Sequence, residues 1–422
     1  MIEPLVLENG LRIVLVPIKA IRSATVSFFM GIGSRYESEV EGGAAHFIEH
    51  VLFKGTERRP SAQLIAEAVE GLGGIINAST DLESTTFWAK VASHHLIETI
   101  DVLTDMLRYS TFTLDDVEKE RQVILEELKM YYDTPDDWVD VLLSQTLWPD
   151  HPLGKDIAGT PATVGALERT ALLDFYHRAY HPANCVIVVA GYFDEPLVVD
   201  ALRSRLADWP TGSSQTFLAA PHNSLSNRFT CENRPIEQGH LNLNTPGLDR
   251  FHPDRYSLAL LNTVLGEGMS SRLFLKIREE LGLAYDVGSS VGLLADTGML
   301  TIYSGVDPER GPEAVQAILA ELDRLTQNPV SAEELHKARE YLKGRIILSL
   351  ESSSSQANWY GHQLLLQQKI ETLESIIARY DAVTTADIQR MAQQLFDPKQ
   401  FVLAAVGPFG DGEALATVIN RA

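Results

Sequence analysis

The chain has 422 residues and a formal net charge of −22, from 57 acidic and 35 basic side chains. Hydrophobic residues make up 45% and charged residues 22%, the balance of a globular protein long enough for two to three domains. The acid excess argues against nucleic acid and anionic membranes as partners, and no apolar run approaches the roughly 20 residues that span a bilayer.

Residues 1–210 carry −15 of the −22. This serves solubility first; an acidic cavity that draws in basic ligands is the functional alternative. The N-terminal stretch MIEPLVLENGLRIVLVP has no basic lead, no apolar core of signal type and no small-residue cleavage site, so the expected location is the cytoplasm. Cys185 sits in the apolar run CVIVVA and reads as core; with Cys231 as the only other cysteine, no disulfide framework is expected.

In chain order, LRIVLVP, SATVSFFM, IINAS, STTFWAKV and NCVIVVAGYF have the composition and alternation of strands. Helical periodicity covers 43–54, 61–72, 94–110, 113–132, 136–147 and 163–179, with Ser61 and Ser93 as N-caps. Strands open and close this half and helices fill its middle. That order predicts an α+β fold, helices packed on a largely antiparallel sheet.

Residues 210–227, PTGSSQTFLAAPHNSLSN, read as a linker between domains at 1–209 and 228–422. The halves resemble each other in order. CVIVVAGYFD (185–194) matches FVLAAVGPFG (401–410), LDDVEKER (114–121) matches AEELHKAR (332–339), and VLFKG (51–55) matches VLGEG (264–268). Their drifting offset, 213 to 218 residues, is that of a duplicated domain.

HFIEHVLFKG, residues 46–55, carries the chemistry. His46 and His50 are four apart, so a helix aims both imidazoles at one point. Glu49 borders the same face, placed to meet a metal-bound water but not to be a ligand. Gly42-Gly43 permit an abrupt turn into the helix, and Gly55 reads as its C-cap. A third ligand is required; in EKERQVILEELKM (118–130), Glu120 and Glu127 share a helix face seven residues apart, and periodicity does not say which binds metal and which supports.

Here the sequence resembles the pitrilysin–insulinase zinc peptidases, the inverzincins, which include the mitochondrial processing peptidases. The resemblance runs through HFIEHVLFKGT (46–56), INASTDLESTTFWAKV (76–91), ERQVILEELKMYYDTPDD (120–137) and SRLFLKIREELGLAYDV (271–287). It implies one Zn2+ per chain on His46, His50 and Glu127, Glu49 as general base and Glu120 as the supporting carboxylate. At offsets 213 and 218, the second half has Ala259, Asn262, Thr263, Ala338 and Arg345 at these positions, so no metal site is expected there.

Read locally, Arg278 is a helix-surface charge and Tyr285 a strand core aromatic; the resemblance instead implies contacts to the substrate backbone and the developing oxyanion. It implies that Asn77 and Ala78 lie on an edge strand that pairs with an extended substrate. His94, His95, His151 and His181 read as turn or surface residues. The resemblance implies a zinc-dependent endopeptidase for unfolded peptides whose chains pair, the zinc domain of one facing the Arg/Tyr domain of the other; because one chain carries both motifs, the expected form is a homodimer with sites completed in trans. The alternatives are a catalytic subunit of a heterodimer and a non-catalytic peptide-binding or assembly subunit.

Overall fold

The computed structural model describes residues 2–213, 215–221 and 227–421. Positions 214 and 222–226 of the expected linker lie outside them. The described chain forms two compact units.

Unit 1 comprises Met1–Leu128, Lys155–Leu218 and Ile347–Glu371; unit 2 comprises Lys129–Gly154, Ala219–Ile346 and Thr372–Ala422. In chain order the first half has β1 (Leu5–Val6), β2 (Arg12–Pro17), β3 (Ser23–Met30), α1 (Ala44–Leu52), α2 (Ala62–Glu70), β4 (Ile75–Thr80), β5 (Thr85–Ala92), α3 (Leu96–Tyr109), α4 (Leu114–Asp133), α5 (Pro135–Leu147), α6 (Pro161–Ala166), α7 (Arg169–Ala179), β6 (Cys185–Gly191) and α8 (Glu195–Leu206). The second has β7 (Phe229–Asn233), β8 (Gly239–Pro246), α9 (Arg255–Gly266), β9 (Ala284–Leu293), β10 (Gly298–Val306), α10 (Gly311–Gln327), α11 (Ala332–Ser349), α12 (Ser353–Gln367), α13 (Leu373–Ala382), α14 (Thr385–Leu395), β11 (Val402–Gly407) and α15 (Glu413–Arg421). The fold is α+β, as expected.

Among the described residues, unit 1 holds a six-stranded sheet ordered β1-β2-β6-β3-β5-β4, and unit 2 a five-stranded sheet ordered β7-β11-β8-β10-β9. From β2 and β7 onward the two orders are the same. In each, one pair is parallel (β2 with β6, β7 with β11) and the remaining pairs are antiparallel. Shared strand order and shared parallel pair are the structural counterpart of the sequence repeat. The strands nearest each sheet's centre are buried on both faces, which is why CVIVVAG reads as an unbroken apolar run.

The units differ from the domains expected at 1–209 and 228–422. Residues 129–154 belong with the second sheet and 347–371 with the first. The reason is coverage of apolar faces. On the first sheet, Val14, Val16, Phe29, Val186 and Val188 point away from the main core and pack against Ala357, Leu364 and Leu365 of α12. Phe29 lies so close to Gly361 that a Cβ there would overlap its ring. In unit 2, α5 lies on β8 and β11, and its Asp140 accepts from Asn242 at 2.6 Å.

Ser61 caps α2, its Oγ accepting from Leu64 N–H at 3.3 Å. Ser93 does not cap α3: it opens a 3-10 turn, Ser93–His95, which leads into that helix. Gly55 likewise lies beyond the end of α1, which stops at Leu52 with Phe53 as its C-cap.

Candidate metal centre

α1 is nine residues long and buries Ala44, Ala45, Phe47, Ile48, Val51 and Leu52, which leaves His46, Glu49 and His50 on its remaining face. That burial pattern fixes the helix rotation and therefore the direction of both imidazoles. α4 does the same for its carboxylates: Val117, Ile124 and Leu128 enter the core, Glu120 is buried, and Glu127 is partly exposed.

His46 Nε2 lies 3.8 Å from Glu127 Oε1, and His50 Nε2 lies 3.5 Å from Glu127 Oε2. One ligand atom from each of His46, His50 and Glu127 can be chosen with all three within 4.8 Å of one another. Among the described residues this is the one His/Cys/Asp/Glu group so arranged. A tetrahedral zinc with bonds of about 2.1 Å would hold its ligand atoms about 3.4 Å apart, so the set fits with small adjustments. The donor chemistry fits as well: two imidazole nitrogens and one carboxylate, with a fourth position left for water.

Glu120 is positioned behind this face. Its Oε2 takes the Nδ1–H of His50 at 3.1 Å, and its Oε1 lies 2.7 Å from Lys54 Nζ. Burial opposes ionisation of Glu120, but the bonds from His50 and Lys54 outweigh it and hold the carboxyl below its usual range. An ionised Glu120 can only accept, so His50 carries a proton on Nδ1 and turns Nε2, the nitrogen that would bind a metal, toward Glu127. Burial, with the neighbouring His50 adding to it, lowers His46 to about 4, so its ring is neutral at physiological pH. His46 Nδ1 is buried without a hydrogen-bond partner among the described residues.

Glu49 accepts a short hydrogen bond from the hydroxyl of Thr80. Burial raises its pKa and Glu127 adds to this, while Thr80 and His50 pull the other way; the net shift is upward. A carboxylate moved toward neutral pH suits a group that must both take and return a proton.

Among the described residues β4 is an edge of its sheet, bonded only to β5, with Asn77 opposite Trp88 and Ala78 opposite Phe87. Ile75, Asn77 and Ser79 face out, Ile76, Ala78 and Thr80 turn inward, and the strand runs beside α1. Asn77 Oδ1 accepts from Ala78 N–H at 2.8 Å.

Arg278 and Tyr285 come together in unit 2. Arg278 lies on a seven-residue π-helical stretch, Phe274–Glu280, and Tyr285 near the start of the edge strand β9. The guanidinium carbon is 5.1 Å from the Tyr285 ring centre and 4.8 Å from that of Phe274. Tyr285 is 78% exposed, so it is not the core aromatic that its place in a strand suggests.

At the corresponding positions on α9 and α11, Ala259, Asn262, Thr263, Ala338 and Arg345 form no metal-binding group. Asn262 and Thr263 donate to Glu267 at 2.7 and 3.0 Å instead. Three polar residues around the first site are not singled out by sequence reasoning, although Lys54 and Thr80 lie inside the stretches 46–56 and 76–91 that carry the resemblance. Thr80 ends an ordinary strand, Lys54 lies beyond its helix, and Glu37 is a loop acid whose carboxylate binds the start of α1.

A fold of two repeated α+β units, one bearing an inverted H-x-x-E-H helix opposite a distal glutamate, defines a class of metallopeptidase-like proteins. Residues 12–161 match the insulinase family (peptidase family M16), and residues 166–342 match the peptidase M16 inactive domain. The chain is 38% identical over 411 residues to the uncharacterized zinc protease YmxG of Bacillus subtilis, spanning 97% of this chain and 99% of that one. It is 36% identical over 416 residues to an uncharacterized zinc protease of Mycobacterium leprae, spanning 97% and 92%. In fold it is similar to a protease from Helicobacter pylori, with a TM-score of 0.91, 24% identity and coverage of 97% and 99%. The chain belongs to the M16 peptidase family.

Proposed function

We propose that this chain is a zinc-dependent endopeptidase that hydrolyses unfolded peptides. The observation that carries the reading is the convergence of His46, His50 and Glu127 beside Glu49. Zinc held by these three residues supplies Lewis acidity for activating water and polarising a scissile carbonyl. Glu49 takes the proton of the attacking water and returns it to the leaving amine. Thr80 keeps that carboxylate turned toward the site. Glu120, backed by Lys54, holds the His50 ring in its binding tautomer.

The exposed edge of β4, at Asn77 and Ala78, takes the substrate as an added strand and reads backbone rather than side chains. Only an extended segment can pair in this way, which selects unfolded peptides. Arg278 and Tyr285 supply hydrogen bonds to the substrate backbone and the tetrahedral oxyanion. Because one chain carries both motifs, the working form is a homodimer in which each site takes its Arg/Tyr pair from the partner.

The test is metal analysis of the purified chain together with mass-spectrometric mapping of cuts in a mixed peptide library. One zinc per chain and cuts that vanish in Glu49→Gln support the reading. A zinc-loaded wild-type chain that binds peptides without cutting them identifies a binding subunit instead. Cuts that appear only after a second protein is added identify a heteromeric peptidase.

A further inference from the structure

Glu37 is buried, 7% exposed, and its carboxylate is given over to backbone amides. Oε2 accepts from Gly43 N–H at 2.8 Å and Oε1 from Ala45 N–H at 2.7 Å. These amides begin α1, whose N-cap, Gly43, has φ 91° and no side chain with which to cap. Glu37 therefore supplies from six residues upstream what a capping serine or aspartate supplies locally. It also does more: a single cap satisfies one donor, whereas this carboxyl group spans two, and it does so although burial pushes its pKa up to about 8.

A second contact holds the same point from the other side. A Cβ on Gly43 would lie 2.6 Å from Ala158 O, and one on Gly159 would lie 2.5 Å from Gly42 O, so the two backbones touch where only glycine fits. Both glycines have positive φ, +91° and +82°. The 158–159 turn is itself fixed by Asp156, which accepts from Ala158 N–H at 2.8 Å. The segment between Glu37 and Gly43 is tied down as well, through Glu41 Oε1 and Arg178 Nη2 at 2.8 Å. His46 directly follows Ala45. An α-helix turns about 100° per residue, so a slip of one residue at its start would carry His46 off the face that meets Glu127.

We propose that Glu37 is a positioning residue of the metal centre: its two-pronged hold on Gly43 and Ala45 sets the register and rotation of α1 that bring His46 and His50 to Glu127. The inference rests on the metal-site part of the proposed function and not on turnover.

The test is the zinc affinity of the purified chain, measured by chelator competition, with thermal unfolding of the metal-free protein measured on the same samples. Glu37→Gln keeps the size but turns an NH2 toward one of the two amide donors. Glu37→Asp is one methylene too short to span both. Each should weaken zinc binding about 10- to 100-fold, the range for residues that orient metal ligands, with the stoichiometry unchanged. Folded variants with wild-type zinc affinity, whatever their unfolding temperature, would overturn the proposal, because a purely structural role lowers stability alone.

If the variants do not fold, amide hydrogen exchange of the wild-type chain decides. Zinc should slow exchange at Gly43 and Ala45, and equal rates with and without zinc would overturn the proposal. A wild-type chain that binds zinc but cuts no peptide removes the peptidase reading and leaves this test intact. One that binds no zinc removes both.

Discussion

The hydroxyl of Thr80, at the end of an open-edged strand, donates to Oε2 of Glu49 on the neighbouring helix. The strand proposed to receive substrate and the carboxylate proposed to move the proton are thereby joined through one side chain. Thr80→Val removes the donor at nearly constant shape, and a hydrogen bond to a charged group contributes about 1.5–3 kcal/mol. Peptide hydrolysis should show kcat lowered roughly 10- to 100-fold, with KM and zinc affinity close to wild type, and Thr80→Ser should recover most of the loss. A variant with full kcat, or one that loses zinc instead, would show that Thr80 has a different role.

Zinc should stabilise the fold by binding the native chain alone. At free zinc 100-fold above its dissociation constant, the gain is about 2.7 kcal/mol. Calorimetry should show the unfolding temperature rising with zinc and returning to its metal-free value on chelation. Glu127→Ala should abolish the rise. Glu120→Ala, which removes the partner of His50 but no ligand, should only shift it to higher zinc concentrations.

The seat of α12 on the first sheet is fitted without spare room. Gly361→Ala would drive its methyl into the ring of Phe29, which is fully buried and cannot swing clear. Overpacking of this kind typically costs about 1–3 kcal/mol. Urea unfolding should give a lower midpoint for Gly361→Ala, and Phe29→Leu in the same chain should recover part of it. An unchanged midpoint would mean that the helix can back away freely.

Asp101 accepts from Arg58, Arg59 and Arg205. Burial works against its ionisation, but the three guanidinium partners prevail and hold the carboxyl well below the usual carboxylate range. A depressed folded-state pKa contributes stability that is present above the unfolded value, near 3.8, and lost as the pH falls through the folded value. The unfolding temperature of the wild type should therefore fall more steeply below about pH 4 than that of Asp101→Asn. Parallel curves would place the acid sensitivity elsewhere. Because the cluster is partly open to water, the difference should be modest.

Most first-half helices are legible in the sequence because they carry an apolar stripe, as α1 does with Phe47, Ile48, Val51 and Leu52, but α6 and α7 read as one helix over 163–179 and α8 is missed. α8 has its own signal, Asp194 capping Leu197 N–H with Pro196 in the first turn, but the apolar run across 185–191 draws attention to the strand before it. The homes of α5 and α12 were not legible: periodicity shows that a helix has an apolar face but not which sheet that face covers. The same limit applies at the site. Spacing places His46 and His50 on one face and Glu120 with Glu127 on another, whereas the assignment of Glu120 to His50 Nδ1 and of Glu127 to the Nε2 atoms follows from how α4 lies against α1. Thr80, Lys54 and Glu37 act across long stretches of sequence or from outside regular elements, where no period marks them.

The helix that roofs the valine-rich face of the first sheet comes from residues 353–367, more than 160 residues after β6, the last strand of that sheet. During synthesis the ribosome must therefore release nearly nine-tenths of the chain before this sheet can be sealed. Until then Val14, Phe29, Val186 and Val188 stand open to water, a surface suited to chaperones. Truncation before residue 353 should leave a protein that retains His46, His50 and Glu127, the proposed metal ligands, yet aggregates, and neither half should be producible as an independent soluble fragment.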